Sequence, residues 1–413
     1  MTLLRRHAEI IYNEAIRQAL PDVAVEQALR SFDRGGGRLL LVAAGKAAWQ
    51  MAAAACRVLP RVDGGAVVTK YGHSRGPLPG LEIFEAGHPV VDRASFAATA
   101  RALELVRGLR ACDTVIFLLL GGGSALFEQS DLPLAELQDI SAQLLACGAS
   151  IQEINCVRKR LSNVKGGRFG LACAPARVVS VILSDVLGDR LDSIASGPAA
   201  VDTAPAGAAL EVVRRWGLRL SPRALALLER PLPGQLPNVE NHICGSVAQL
   251  CRTAADACAR LGYRTALLST QVDCEARLAG AELARRLLAE RAGAPVALVQ
   301  GGETVVRLTG GGLGGRNQEL ALAAAPVLAG AAGTAVFSVG SDGTDGPTDA
   351  AGGFVDGTTQ PRLQALGVSI PRVLAQNDSY HALQRVGGLI VTGPTGTNVN
   401  DLTVALYNPA EEP

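Results

Sequence analysis

Asp113-Thr-Val-Ile-Phe-Leu-Leu-Leu-Gly-Gly-Gly-Ser-Ala-Leu126 decides how the chain is read. Its apolar run is what a parallel strand buried on both faces requires, and it stops abruptly at three glycines and a serine. A helical pattern follows from about Pro133. Glycine backbone lets a ligand approach bare N–H groups, and a helix start adds partial positive charge suited to phosphate. The same order recurs. Leu39–Ala43 runs into Gly45-Lys46, Val305–Thr309 into Gly310–Gly315 and Arg316, and Ala335–Val339 into Gly340–Gly346. Four such turns point to a cleft built to hold a polyanion.

Outward from this stretch, strand and helix patterns alternate. Leu39–Ala44 precedes a helix over 46–58, then come strands 66–70 and 81–86, helix 93–110, strand 114–120, helix 133–148 and strand Arg177–Leu183. Alternation of this kind predicts a parallel sheet covered by helices on both faces, with ligands beyond the carboxyl ends of the strands. Residues 2–30 read as helical with an interruption at Pro21. Ser221–Glu240 holds Pro222, Pro231, Pro233 and Pro237 without an apolar period, so the domain boundary is placed there, giving domains 1–234 and 235–413. The second half reads as helix 246–261, strand 265–269, helix 275–292, strand 296–300, strand Val305–Leu308, helix 317–329, strand 335–339 and a final strand Gly388–Thr392.

Composition narrows the function. At 413 residues the chain is long enough for two full cores, packed with aliphatics because aromatics are only 4%. A net charge of +1 gives no electrostatic case for nucleic acid or an anionic membrane surface. The nine cysteines form no CxxC pair and no zinc spacing, and read as reduced core residues of a cytoplasmic protein. The N-terminus lacks the uninterrupted apolar core of a signal peptide. Leu320–Val339 is uncharged, but Pro326, Gly330 and Gly333 make it a helix followed by a strand rather than a membrane span.

Only four of the 39 basic residues are lysine: Lys46, Lys70, Lys159 and Lys165. Where arginine serves almost every surface charge, a retained lysine is a candidate for chemistry that a compact ammonium does better. Lys46, at a strand end that opens an alanine-rich helix, is the strongest. Asn163-Val-Lys165-Gly-Gly-Arg168 sets two cations around a glycine pair, which suits a carboxylate or phosphate, or a solvated basic face following Arg158-Lys159-Arg160. Ser184–Pro198 starts at a strand end and carries Asp185, Asp189 and Asp192, candidates for general base or water-mediated metal contact, with helix capping as the plainer role for at least one. Gly310–Gly315 matches GxGxxG but lacks the acidic residue about 20 positions on. Ser341–Asp349 crowds Asp342, Asp345 and Asp349 between glycines, which fits magnesium held through waters and phosphate oxygens, or a series of Asx turns. No GxxxxGK[ST] loop, GxSxG elbow, HExxH or kinase HRD/DFG set is present.

Taken in order, Ala44-Gly-Lys46, Leu120–Leu126, Ser162–Arg168, Ser184–Asp189, Ser193–Pro198, Gly301–Thr304, Gly314-Gly-Arg-Asn-Gln-Glu-Leu320, Gly340–Gly346 and Gly393–Asn398 resemble the type II glycerate kinases. The last part, about 296–406, resembles the MOFRL domain of that family. The resemblance spans nearly the whole chain. It implies a Rossmann-like N-terminal domain, a smaller α/β C-terminal domain and an active cleft between them. The implied reaction is ATP-dependent phosphorylation of D-glycerate at the 2-hydroxyl, giving 2-phosphoglycerate, with Mg²⁺ or another divalent cation.

On this resemblance Lys46, Asp189 and Arg316 are expected to be catalytic. Gly121, Gly122, Gly123, Ser124, Lys165, Arg168, Asp185, Asp192, Asn317 and Asn398 are expected to bind substrate or phosphate, and Asp342 with Asp345 the metal. Which of Asp185, Asp189 and Asp192 is the base stays open. So do oligomeric state and nucleotide preference. Small-molecule substrates are the expected partners, with neither nucleic acid nor membrane. Two rivals share the motifs: an NAD(P)-dependent hydroxypyruvate reductase and a non-catalytic sugar-phosphate-binding regulator.

Overall fold

Each strand of the first half splits its side chains between two apolar layers. In the computed structural model, which describes residues 2–59 and 61–411, six strands form one sheet: β1 (Leu39–Ala44), β2 (Gly64–Lys70), β3 (Glu82–Ala86), β4 (Thr114–Leu119), β5 (Arg177–Leu183) and β6 (Val239–Gly245). Their order is β3-β2-β1-β4-β5-β6, and the pairs from β3 to β5 are parallel. Leu40, Val42, Phe117 and Leu119 face one core, while Leu39, Leu41, Ile116 and Leu118 face the other. Successive strand side chains alternate faces, so helices on both sides bury an uninterrupted apolar run. Phe117, Phe127 and Phe169 pack in the first layer with ring centroids 4.7–5.6 Å apart. From β1 the chain moves outward to β2 and β3, then returns to β4 on the other flank. The gap between the carboxyl ends of β1 and β4 is therefore a topological switch point.

The second sheet contains β7 (Arg264–Val272), β8 (Val296–Gly302), β9 (Thr334–Gly340), β10 (Gly352–Asp356), β11 (Leu389–Ile390) and β12 (Asp401–Tyr407), in the order β11-β10-β9-β12-β8-β7. It is mixed, because β12 lies antiparallel between β8 and β9, while β7 and β8 are parallel. β12, buried throughout and central, lies beyond Gly388–Thr392, the last strand expected from sequence, of which only Leu389–Ile390 is strand. β10 was missed because it opens on two glycines. A Cβ at Gly352 would stand 1.9 Å from the Ser338 carbonyl, so close strand approach excludes the residues that advertise a strand.

Val305–Thr309 is not a strand. Within 305–309 the only pairing among the described residues is a bridge between Glu275 and Val305, and Leu308 is 79% exposed. The loop's backbone is satisfied by side chains instead. Asn377 Oδ1 accepts from Thr309 N at 2.7 Å and Gly310 N at 2.9 Å, and Asp378 Oδ1 accepts from Leu313 N at 3.0 Å. Gly310 and Gly312 are glycines because the backbone of Gln376 and Asp378 leaves no room for a Cβ. The dinucleotide-like spacing thus has neither the strand nor the open turn that its chemistry requires.

The described residues divide into two compact units, one of Pro21–Cys244 and one joining residues through Leu20 to those from Gly245 onward. This corrects the expected boundary at 234 in two ways. β6 follows the proline-rich segment and completes the first sheet, and helix Leu3–Gln18 packs in the C-terminal unit. There Tyr12 meets Phe337 with centroids 6.0 Å apart, and Thr397 Oγ1 donates to Ala19 O at 2.7 Å. The break expected at Pro21 is present, between that helix and Pro21–Leu29. Among the described residues no helix is long and apolar enough to cross a membrane.

Helices Ala276–Glu290 and Arg316–Leu328 pack against each other through Gly280, where a Cβ would lie 2.0 Å from Leu320 O. Gly280→Ala should therefore lower stability by about 1–3 kcal/mol despite its better helix propensity. Gly234→Ala, in open space, should change it by less than about 0.5 kcal/mol. Urea denaturation reads both, and equal midpoints would show that the helix pair tolerates a wider spacing.

Candidate active site

Three strand ends of the first sheet converge. After β1, Gly45 N–H donates to Val68 O at 3.2 Å and Lys46 N–H to Gly121 O at 3.1 Å, which ties the turn to its neighbours on both sides. After β4, Gly122 takes φ +88 and starts a short helix, Gly123–Leu126, that the sequence reading did not anticipate. After β5, the Asp185 carboxylate lies over Gly121, where a Cβ would stand 2.1 Å from Oδ2. A Cβ on Gly122 would meet Lys46 Cγ at 3.0 Å and His88 Cδ2 at 3.1 Å. One on Gly123 would meet Ala195 Cβ at 2.7 Å. Each glycine is therefore fixed by what packs on it. The result is bare backbone flanked by the stem of an exposed lysine, an imidazole and a carboxylate.

His88 carried no sequence signal. It lies beside Gly122, and burial, followed by the charges of Lys46, Lys70 and His73, holds its pKa below the usual imidazole value. Ser124 Oγ is 3.2 Å from Ser196 Oγ, which donates to Asn155 Oδ1 at 3.1 Å. Ala195 and Ser196, with φ +49 and +61, occupy the left-handed region rarely taken by non-glycine residues. Such backbone persists where its surroundings over-determine it, often at ligand sites. These groups edge an open cavity of about 770 Å³ within the unit 21–244. Its lining includes the polar Ser124, His88 and Asp185 and the apolar Leu137 and Leu145.

Other expected residues are committed elsewhere. Lys165 is fully buried and ion-paired with Glu128, whose other oxygen accepts from Ser162 Oγ at 2.6 Å. Burial lowers the Lys165 pKa, opposed by Glu128. Arg168 is buried and donates to the carbonyls of Lys159, Arg160, Ser162 and Pro231. Burial pulls its pKa down to about 10. Both cations hold the fold around the glycine pair instead of facing a ligand. Asp192 is paired with Lys159 at 3.1 Å and Arg190 at 3.2 Å. Asp189, at φ +53, differs: its Oδ1 is buried with no hydrogen-bond partner.

In the other unit Arg316 opens helix Arg316–Leu328. Its guanidinium reaches Asp401 through Nε at 2.5 Å and Nη2 at 3.1 Å, and Glu303 through Nη1 at 3.0 Å. Asp345, expected as a metal ligand, is instead the cap of this helix, accepting from Asn317 N at 3.0 Å and Gln318 N at 2.8 Å. Gly315 lacks the side chain to cap the helix itself, and its missing Cβ makes room for the Asp345 carboxylate. Asn317 is buried between Asp345 and Ser338, whose Oγ donates to its Oδ1 at 2.6 Å. Asp342 makes an Asx turn through Oδ1 to Thr344 N at 2.9 Å, and its other oxygen has no hydrogen-bond partner among the described residues. Asn398 is exposed, with Oδ1 turned to Asn400 N at 3.4 Å. Among the described residues no three His, Cys, Asp or Glu side chains gather to cage a metal. All nine cysteines are free, with Cys112 and Cys274 exposed rather than in the core.

Comparison with known proteins agrees with this architecture. Residues 7–229 match the model of a domain of unknown function, DUF4147, and residues 296–401 match the MOFRL family. The chain is 49% identical to D-glycerate 2-kinase of Thermotoga maritima, over 98% of each. The chain belongs to the glycerate 2-kinase family. A glycerate 2-kinase of Pyrococcus horikoshii is 39% identical over 96% of each chain. The crystal structure of glycerate kinase from Thermotoga maritima superposes with a TM-score of 0.93 at 48% identity, covering 98% of this chain and 99% of that one.

Burial pushes the Asp345 carboxyl up to about 7, against the pull of the helix N–H groups and with Asp401 adding to the rise. An unfolded aspartate titrates at about 4. Between these values the native state binds the extra proton, so this group makes unfolding easier as pH rises through that window. Asp345→Asn should flatten the dependence of the melting temperature on pH from about 4 to 7. An unchanged slope would show that Asp345 stays ionised as the helix cap.

Proposed function

We infer that the protein transfers the γ-phosphoryl group of ATP to the 2-hydroxyl of D-glycerate, giving 2-phosphoglycerate and ADP. The observation that carries this reading is the convergence of Lys46, Gly121–Ser124 and Asp185 at the switch point of the first sheet, in a chain of this family. Phosphoryl transfer asks little covalent chemistry of a protein; positioning and charge neutralisation supply most of the acceleration.

The glycine backbone of Gly121–Ser124, at a helix start, suits nucleotide phosphates, and Lys46 beside it suits the moving phosphoryl group. Asp189 keeps a carboxylate oxygen without a protein partner while Asp192 is ion-paired, which supports Asp189 over Asp192 as the group that orients or deprotonates the substrate hydroxyl. Arg316, held by Asp401, is assigned to charge neutralisation, and Asn398 to substrate contact. A divalent cation bound with the nucleotide would be held through its phosphates and one or two carboxylates. Asp342, with one unpartnered oxygen, fits that role; Asp345, buried and engaged as the helix cap, does not. Free cysteines are consistent with action in the reducing cytoplasm.

Purified protein should consume ATP only when D-glycerate and Mg²⁺ are present, with the phosphorus resonance of 2-phosphoglycerate as product. Exclusive 3-phosphoglycerate would overturn the regiochemistry, and NADH oxidation with hydroxypyruvate in place of ATP turnover would favour the reductase.

Lys46→Met keeps stem volume and removes charge, so it should fold normally while kcat falls by about a hundredfold or more. Asp189→Asn should lose about a hundredfold or more in kcat through the lost base. A variant that stays within a few-fold of wild type removes its residue from the mechanism.

A further inference from the structure

Helix Ile151–Leu161 forms one wall of the 770 Å³ cavity, fixed at its start by a capping box between Ser150 and Glu153. Its cluster Arg158-Lys159-Arg160 reads in sequence as a solvated face, but the three cations have different fates. Lys159 is buried between Asp192 and Asp202, at 3.1 and 2.7 Å. Arg160 is buried, with Nη1 on Cys156 O and Nη2 on Pro205 O. Arg158 lines the cavity, and among the described residues its guanidinium has neither a hydrogen-bond nor an ion-pair partner. Glu128 also borders the cavity and attracts Arg158, but its oxygens are engaged by Lys165 and Ser162.

One helical turn earlier, Asn155 shares this wall. It is only 8% exposed, and its Oδ1 is occupied by Ser196 Oγ. Its Nδ2 donors have no partner among the described residues and border the cavity. Residues at i and i+3 stand one above the other on a helix. The wall therefore presents a planar guanidinium fork and a side-chain amide, both donors without a protein partner among the described residues and both open to the cavity. Such a fork matches the oxygens of a carboxylate or phosphate. The other cavity cation, Arg190, is engaged by Asp192.

We propose that Arg158 and Asn155 form a receptor for an oxyanion of the bound substrates, a carboxylate or a phosphate, and act as positioning residues. Assigning that oxyanion to glycerate or to the nucleotide rests on the kinase reading; the receptor itself does not. Arg158→Gln should raise KM for one of the two substrates at least tenfold while kcat stays within a few-fold, and Arg158→Lys should restore part of the loss. An effect on D-glycerate alone identifies the carboxylate, and one on ATP alone identifies a phosphate. Isothermal titration of the same proteins with D-glycerate and with ATP separates the two claims. A wild type that binds an anion through Arg158 without turnover keeps the receptor and removes the kinase reading. If Arg158→Gln fails to fold, Asn155→Asp, nearly isosteric but negatively charged, should weaken the same substrate. Unchanged KM and binding for both substrates in a folded Arg158→Gln or Asn155→Asp protein would overturn the proposal.

Discussion

The site hangs on the close approach of two backbone turns where β1 and β4 part company. Lys46 N–H donates to Gly121 O at 3.1 Å, and a Cβ at Gly45 would stand 2.6 Å from Leu120 O. Parallel strands that send their chains to opposite sides leave a gap at their carboxyl ends, and here glycine backbone lines it. Because the turns are tied to each other, the stem of Lys46 is set beside Gly122 by the sheet rather than by a flexible loop. Asp185 joins from the next strand, over a glycine whose missing side chain is its seat. The arrangement is pre-formed, which is what electrostatic stabilisation of a phosphoryl group demands.

Charge is distributed around this gap by burial. Lys159, Lys165 and Arg168 are cations in a sequence neighbourhood that resembles an anion site, yet each is neutralised or hydrogen-bonded within the protein. A buried charge without partners is costly, so a fold that buries several must supply carboxylates and carbonyls for them. Arg158 and the amide of Asn155 stand apart because they border open space, where a ligand can supply what the protein does not.

In the other unit the same economy of donors governs Arg316–Leu328. Its first N–H groups are satisfied by Asp345 from a distant loop, and its first side chain is held by Asp401 at the start of β12. A helix terminus needs acceptors, and Gly315 cannot provide one. Asp345, though it sits in an aspartate-rich loop that resembles a metal site, is consumed by this structural demand.

The sequence by itself determined the alternation of strand and helix, the buried parallel core and the glycine turn at Gly121–Ser124, because apolar periodicity and glycine are local signals. It also marked Lys46, since a retained lysine stands out in an arginine-rich chain. Tertiary structure decided the rest. Asn377 and Asp378 turned Val305–Gly315 from strand and cofactor turn into a braced loop. β12 became the centre of the second sheet through partners more than 60 residues away, and helix Leu3–Gln18 joined the unit at the opposite end of the chain. Whether a cation meets a ligand or a carbonyl is likewise fixed only by packing: Lys165 and Arg158 look alike in sequence, and burial beside Glu128 or beside a cavity separates them.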